Sequence, residues 1–292
     1  MNNIETLFEK MDRLLDRFET LFVPNHVMPD WAASVAFRWR KRRDAGYLQP
    51  VAHPHQIRMQ DLHAIDRQKA VIDANTKQFV NGMPANNVLL WGARGTGKSS
   101  LIKALLNEYA NQGLRLIEVD KHDLVDMPDI VDLLYARPER FILFCDDLSF
   151  ETNEPGYKAL KVALDGSIAT SPENVLIYAT SNRRHLMPEY MEENLQARHI
   201  EGEIHQAEAV EEKISLSERF GLFLSFYPYN QDDYLGIVFH WLQQFRVPMR
   251  NKKHIRTAAL QWALERGSRS GRVAWQFAKD FAGKTAMTTG KA

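Results

Sequence analysis

Eight consecutive residues, Gly92-Ala93-Arg94-Gly95-Thr96-Gly97-Lys98-Ser99, have the spacing GxxxxGK[ST] of a loop that wraps phosphate groups. Glycines let the backbone curl so that successive N–H groups converge on an anion. A helix starting at the end of the loop adds the positive end of its dipole. In this pattern Lys98 reaches the β- and γ-phosphates, the Ser99 hydroxyl holds Mg²⁺, and Ser100 follows in the first helical turn. The chemistry implied is binding of a nucleoside triphosphate with Mg²⁺. So short a pattern needs an apolar strand before it and a helix after it. Asn87–Trp91 and Ser100–Leu106 supply both.

Two further runs end in groups that suit this chemistry. Phe141-Ile142-Leu143-Phe144-Cys145 is an apolar strand closed by Asp146-Asp147. Asp146 is the candidate metal carboxylate, acting through water, and Asp147 the candidate general base for an attacking water. The second run, Val175–Ala179, ends in Thr180-Ser181-Asn182. Asn182 there is a candidate hydrogen-bond partner for the attacking water or the γ-phosphate, although Asn after Ser is also an ordinary turn residue.

These residues need a scaffold, and the chain supplies an alternating one from Leu62 onward. Apolar runs at Val88–Trp91, Leu114–Val119, Phe141–Cys145, Val175–Ala179 and Leu222–Phe226 are separated mostly by helical periodicity, which predicts an α/β fold with a parallel sheet covered on both faces. After Tyr229 the strands cease. Gln231–Phe245, Lys252–Arg266 and Arg272–Ala282 read as three helices, and the Gly/Thr/Ala tail at 284–292 as a frayed end. At the other end, apolar residues from Ile4 to Phe22 recur at three- and four-residue spacing, and Pro24 stops the pattern. That helix either packs on its own domain or docks a partner. Phe37–Arg43 interleaves basic and aromatic residues and reads either as a nucleic-acid grip or as a basic helix face. Gln49–His55 reads as an extended linker. The expected division is a helical extension and linker at 1–55, a nucleotide-binding domain at 56–228 and a small helical lid at 229–292.

Composition narrows the class. A chain of 292 residues, 45% hydrophobic and 25% charged, is ordinary for a globular protein. It has no apolar run long enough to cross a membrane and no signal-peptide start, so a cytoplasmic protein without membrane insertion is expected. The single cysteine, Cys145, lies in an apolar run and is expected to be a buried thiol. Net charge is zero but unevenly spread. From Arg246 onward eleven Lys/Arg face two Asp/Glu, whereas Glu192–Glu218 holds eight acids and two bases. The basic segment suits nucleic acid or nucleotide phosphates, or is a solvated surface balanced by the acidic one.

The order of the motifs carries a resemblance. Phosphate loop, Asp146-Asp147, Thr180-Ser181-Asn182, Leu216-Ser217-Glu218-Arg219-Phe220-Gly221 and Gly267-Ser268-Arg269-Ser270-Gly271-Arg272 together resemble the AAA+ ATPases over roughly residues 59–283. Ala85–Gly92 and Glu211–Leu222 are further similar to a bacterial group of predicted AAA+ ATPases of unestablished role. The resemblance implies ATP hydrolysis in a ring or arc of identical subunits acting on a macromolecular client. It implies that Arg219 is an arginine finger, as in the Holliday-junction branch-migration motor, and that Arg272, or Arg269 in competition with it, is the second sensor. Leu62 and Ile65 fall where the superfamily cradles adenine. One departure stands out: most of these motors have Asp-Glu where this chain has Asp146-Asp147, and the shorter arm implies slow hydrolysis or compensation by a neighbour such as Glu151. Two other readings stay open, a nucleotide-gated binding module and a nucleic-acid motor or loader.

Overall fold

In a computed structural model the five apolar runs are parallel-paired strands of one sheet; four lie inside it, and the fifth, Leu222–Phe226, is an edge strand with Phe223 exposed. The structure describes residues 10–11, 29–42, 45–135, 137–150, 154–165, 172–184, 186 and 216–288. Within these, strands β1 (Ala36–Arg42), β2 (Ala45–Pro50), β3 (Val88–Gly92), β4 (Leu114–Glu118), β5 (Arg140–Cys145), β6 (Val175–Ser181) and β7 (Leu222–Phe226) form one sheet. Its order is β2-β1-β4-β5-β6-β3-β7, and only the β1–β2 pair is antiparallel. The helices are α1 (Asp66–Val80), α2 (Lys98–Tyr109), α3 (Met127–Leu134), α4 (Pro155–Asp165), α5 (Gln231–Gln244), α6 (Lys252–Glu265) and α7 (Gly271–Thr288).

Alternate side chains of each strand enter opposite layers. Phe141, Leu143 and Cys145 of β5 pack with Ile130 and Leu134 of α3 and Leu160 of α4. Ile142 and Phe144 face the other layer, with Ile72 of α1 and Leu101 and Leu105 of α2. This two-sided burial is why the strands read as unbroken apolar runs. One polar contact fixes how α1 sits on the sheet: the buried Tyr178 hydroxyl lies 2.9 Å from both Asn75 Nδ2 and Thr76 Oγ1. Cys145 is buried as expected, and burial pushes its thiol up to about 12.

The structure departs from expectation before residue 56. Phe37–Arg42 is a strand, neither a helix face nor an open grip. Phe37 and Trp39 are buried, so neither ring is available to stack a base. Three of its cations are paired: Arg38 with Glu118 at 2.6 Å, Arg40 with Asp120 at 2.8 Å and Lys41 with Asp126 at 2.8 Å. Such pairs contribute at most about 1 kcal/mol each at a surface, but they cancel the local charge. Their acidic partners lie at the end of β4 and just beyond it, about 80 residues further along, so local pattern does not reveal them. Residues 45–50 are strand as well, so the expected linker at Gln49–His55 loses its first two residues to β2, and β1 and β2 lie in the sheet rather than in a helical extension. Irregular chain does follow at 51–58, where Asn107 Nδ2 of α2 donates to the carbonyls of His55 and Ile57 at 2.8 and 2.6 Å. The expected helix at Ile4–Phe22, apart from residues 10–11, and Glu151 lie outside the described residues, as does the acidic segment up to residue 215.

Candidate active site

The C-terminal ends of β3, β5 and β6 converge on the start of α2, and the groups singled out by sequence meet there. The phosphate loop leaves β3 through Gly92, whose φ of +129° and close approach to β7 demand glycine. A Cβ there would overlap the Phe226 carbonyl oxygen. That same oxygen accepts from Ala93 N–H at 3.0 Å, tying the loop to the edge strand. Thr96 is buried and its hydroxyl donates back to the Ala93 carbonyl at 2.7 Å. Gly92, Ala93 and Thr96 therefore shape the loop. Arg94, Gly95, Gly97, Lys98, Ser99 and Ser100 line a cavity of about 690 Å³ above it.

Around that cavity runs a closed circuit of hydrogen bonds. Ser99 Oγ donates to Asp146 Oδ1 at 2.6 Å, and Thr180 Oγ1 donates to the same oxygen at 2.5 Å. The Thr180 hydroxyl also accepts from Asp147 N–H at 2.9 Å. Asn182 Nδ2 donates to Asp147 Oδ1, and Asn182 Oδ1 accepts from Lys98 Nζ at 3.2 Å. Lys98, covalently joined to Ser99, closes the circuit and donates to the carbonyls of Gly92 and Ala93 at 2.8 Å each. Burial pulls its ammonium down to about 8, while the charges of Asp147 and Asp146 oppose the shift. In sequence Thr180 is only part of a polar strand end; in the fold it is the residue that joins the two acids.

Tyr229 and helices α5 and α7, which follow β7, close the far wall. Tyr229 OH donates to the Thr96 carbonyl at 2.7 Å, and Gly271 N–H at the start of α7 donates to the Gly95 carbonyl at 2.8 Å. The phosphate loop is thus bonded directly to the C-terminal helices, a contact for which the sequence carries no local signal. Arg272, in the first turn of α7, lines the cavity; Arg269 is exposed and does not. Leu62 lines it too, whereas Ile65 is buried behind the loop, with its Cδ1 3.7 Å from where a Gly97 Cβ would be. Sequence reasoning missed His63 and Trp241, which share this end of the wall. Burial holds the His63 imidazole below its ordinary range, and neighbouring His240 adds to the effect.

Arg219 does not join the cavity. It sits in the turn before β7, and its Nε is 2.5 Å from Asp165 Oδ1 at the end of α4. Asp165 lies 54 residues from Arg219 in the chain, so local sequence gives no sign of this ion pair.

Sheet order, phosphate loop and the acidic and polar strand ends together define a P-loop NTPase fold of the AAA+ class. Solved structures agree: the chain is similar to a mutant form of RuvB from Thermotoga maritima (TM-score 0.52, 15% identity, covering 81% of this chain and 67% of that one). It is also similar to the FIGL-1 AAA domain in complex with ADP (TM-score 0.50, 16% identity, 80% of this chain and 74% of that one). At such identities the likeness is one of fold. The chain belongs to the family described as "Protein of unknown function (DUF815)", whose model matches residues 32–285. No curated protein matches it.

Proposed function

We propose that this protein is an ATP hydrolase that works at the interface between copies of itself and uses the cycle to remodel or move a macromolecular partner. The observation that carries the reading is the closed circuit from Lys98 and Ser99 through Asp146, Thr180, Asp147 and Asn182 at the floor of a cavity of nucleotide size. The donors fit Mg²⁺ with a triphosphate. Ser99 hydroxyl and Asp146 carboxylate are oxygen ligands on one side, and Mg²⁺ commonly takes only one or two protein oxygens beside phosphate and water. When bound, Mg²⁺ neutralises charge on the outer phosphates.

In this reading Gly95, Gly97 and the start of α2 hold phosphate through backbone N–H groups, and Lys98 moves from the loop carbonyls onto the β/γ oxygens. Asp147 accepts the proton of the attacking water, and Asn182 orients Asp147 and that water. Arg272 meets the γ-phosphate from α7, and Leu62 contacts the base. Arg219 acts on a neighbouring copy's nucleotide, where such a finger is worth about 10³–10⁵ in rate in other NTPases. Its distance from its own cavity supports action in trans, with residues 229–292 serving as the lid and 56–228, extended by β1 and β2, as the nucleotide-binding unit. We place this assembly, a ring or arc, in the cytoplasm.

The short arm of Asp147 favours one second reading, a nucleotide-gated binding module that hydrolyses slowly. The pairing of the β1 cations gives no support to a nucleic-acid grip on that strand, and salt-sensitive DNA or RNA binding would have to come from the C-terminal helices. Steady-state ATPase measured against protein concentration tests the first reading. Activity per subunit is expected to rise with concentration and to vanish in Lys98→Ala. A wild type no more active than Lys98→Ala at every concentration would leave the hydrolase reading without support.

A further inference from the structure

Among the described residues Asp147 is one of four non-glycine residues in the left-handed region, with φ of +52°. It is a short acid where a longer one is usual, and its backbone sets where the carboxylate points. Both peptide N–H groups that flank its Cα are held by one residue of the neighbouring strand. Thr180 Oγ1 accepts from Asp147 N–H at 2.9 Å, and the Thr180 carbonyl accepts from Leu148 N–H at 2.7 Å. Thr180 is 1% exposed, so no solvent competes for its hydroxyl.

A hydroxyl has one proton and a limited set of lone pairs. Here the proton goes to Asp146 Oδ1 at 2.5 Å, and a lone pair takes the Asp147 N–H. That direction is fixed chemically, since an N–H can only donate and an ionised carboxylate can only accept. One buried hydroxyl therefore sets the rotation of the Asp146 carboxylate and the backbone twist at Asp147 together.

We infer that Thr180 is the positioning residue of the hydrolytic site, aligning the metal-side carboxylate and the base through a single hydroxyl and so adapting the fold to Asp at position 147. The inference rests on the hydrolase reading above. Valine is the discriminating substitution: it keeps the branched shape of threonine and removes the hydroxyl, leaving the Asp147 N–H without its acceptor and Asp146 Oδ1 without one of its two donors. Serine keeps the hydroxyl and removes only the methyl.

The test uses the full chain as wild type, Thr180→Val and Thr180→Ser, with steady-state ATPase, titration with a fluorescent ATP analogue with and without Mg²⁺, and thermal melting. In Thr180→Val, kcat is expected to fall about 10²-fold, the scale of a misplaced catalytic group, while KM moves less than about threefold. The gain in nucleotide affinity that Mg²⁺ brings is expected to shrink in the same variant. Thr180→Ser is expected to stay within about threefold of wild type in kcat, because the hydroxyl that aligns both acids is retained. Unchanged kcat in a folded Thr180→Val overturns the inference alone. Equal loss of kcat in Thr180→Ser and Thr180→Val also overturns it, because the methyl rather than the hydroxyl would then matter. A wild type that binds no ATP, or binds it without turnover at any concentration, overturns the hydrolase reading and this inference with it.

Discussion

Ser99 Oγ donates to Asp146 Oδ1 across 2.6 Å, joining the start of the loop helix to the end of the central strand β5. A hydroxyl and a carboxylate brought this close present two oxygen ligands to one point. Ser99→Ala is expected to reduce the Mg²⁺-dependent part of ATP affinity about tenfold, the loss of one oxygen contact in a charged site, and to leave Mg²⁺-free binding nearly unchanged. Paired titrations with and without the metal measure this. An equal loss in both would place Ser99 in phosphate rather than metal contact.

Lys98 gives a pH signature. Its ordinary value is 10.5 and burial brings it to about 8. A triphosphate favours the charged ammonium, so binding draws the pKa upward. Well below pH 8 the lysine is already charged and takes up no proton on binding. Above that point binding takes up as much as one proton, and apparent affinity falls as pH rises. Calorimetry in two buffers of different ionisation enthalpy reads the uptake directly. No difference in uptake between pH 7 and pH 9, or affinity that rises with pH, would contradict the assignment.

Arg272 lines the cavity and Arg269 does not. Arg272→Ala is expected to lower kcat/KM at least about tenfold, as removal of a charge-assisted phosphate contact should. Arg269→Ala should stay within about twofold, the usual range for an exposed side chain. ATPase assays on the two variants decide the second-sensor question left open by their shared motif.

Gly95 has φ of +72°, and a Cβ added to it would lie 2.7 Å from Ser270 Cβ, at the root of α7. Gly113 also has a positive φ, +91°, with nothing within 4 Å of its Cβ position. Alanine at either site incurs the left-handed cost of about 1–2 kcal/mol, but only Gly95→Ala also pushes the loop from the C-terminal helices. Thermal melting should therefore show a larger loss for Gly95→Ala than for Gly113→Ala. Equal losses would mean that α7 yields freely and is not held on the loop.

The sequence made the four inner strands legible because two-sided burial leaves a continuous apolar run, as in Phe141–Cys145; the edge strand Leu222–Phe226 was legible as an apolar run although Phe223 is exposed. It made the loop, the two acids and Asn182 legible because each ends such a strand. Strand β1 was not legible: its alternation of Phe37 and Trp39 with Arg38 and Arg40 is that of a strand, but the cations that suggested a ligand are answered by Glu118 and Asp120 from a distant strand end. Thr180 and Tyr229 were hidden for the same reason. Their roles arise from what the fold places opposite them, 34 and 133 residues away in the chain.

In the proposed reading composite action depends on Arg219, which pairs with Asp165 on its own chain and lies outside its own cavity. The most direct measurement mixes two inactive variants, Lys98→Ala, which lacks the phosphate lysine, and Arg219→Ala, which lacks the finger. If hydrolysis is completed across an interface, some contacts in the mixture pair an intact lysine with an intact finger, and ATPase activity returns. Absence of recovery, with Arg219→Ala alone as active as wild type, would contradict the account.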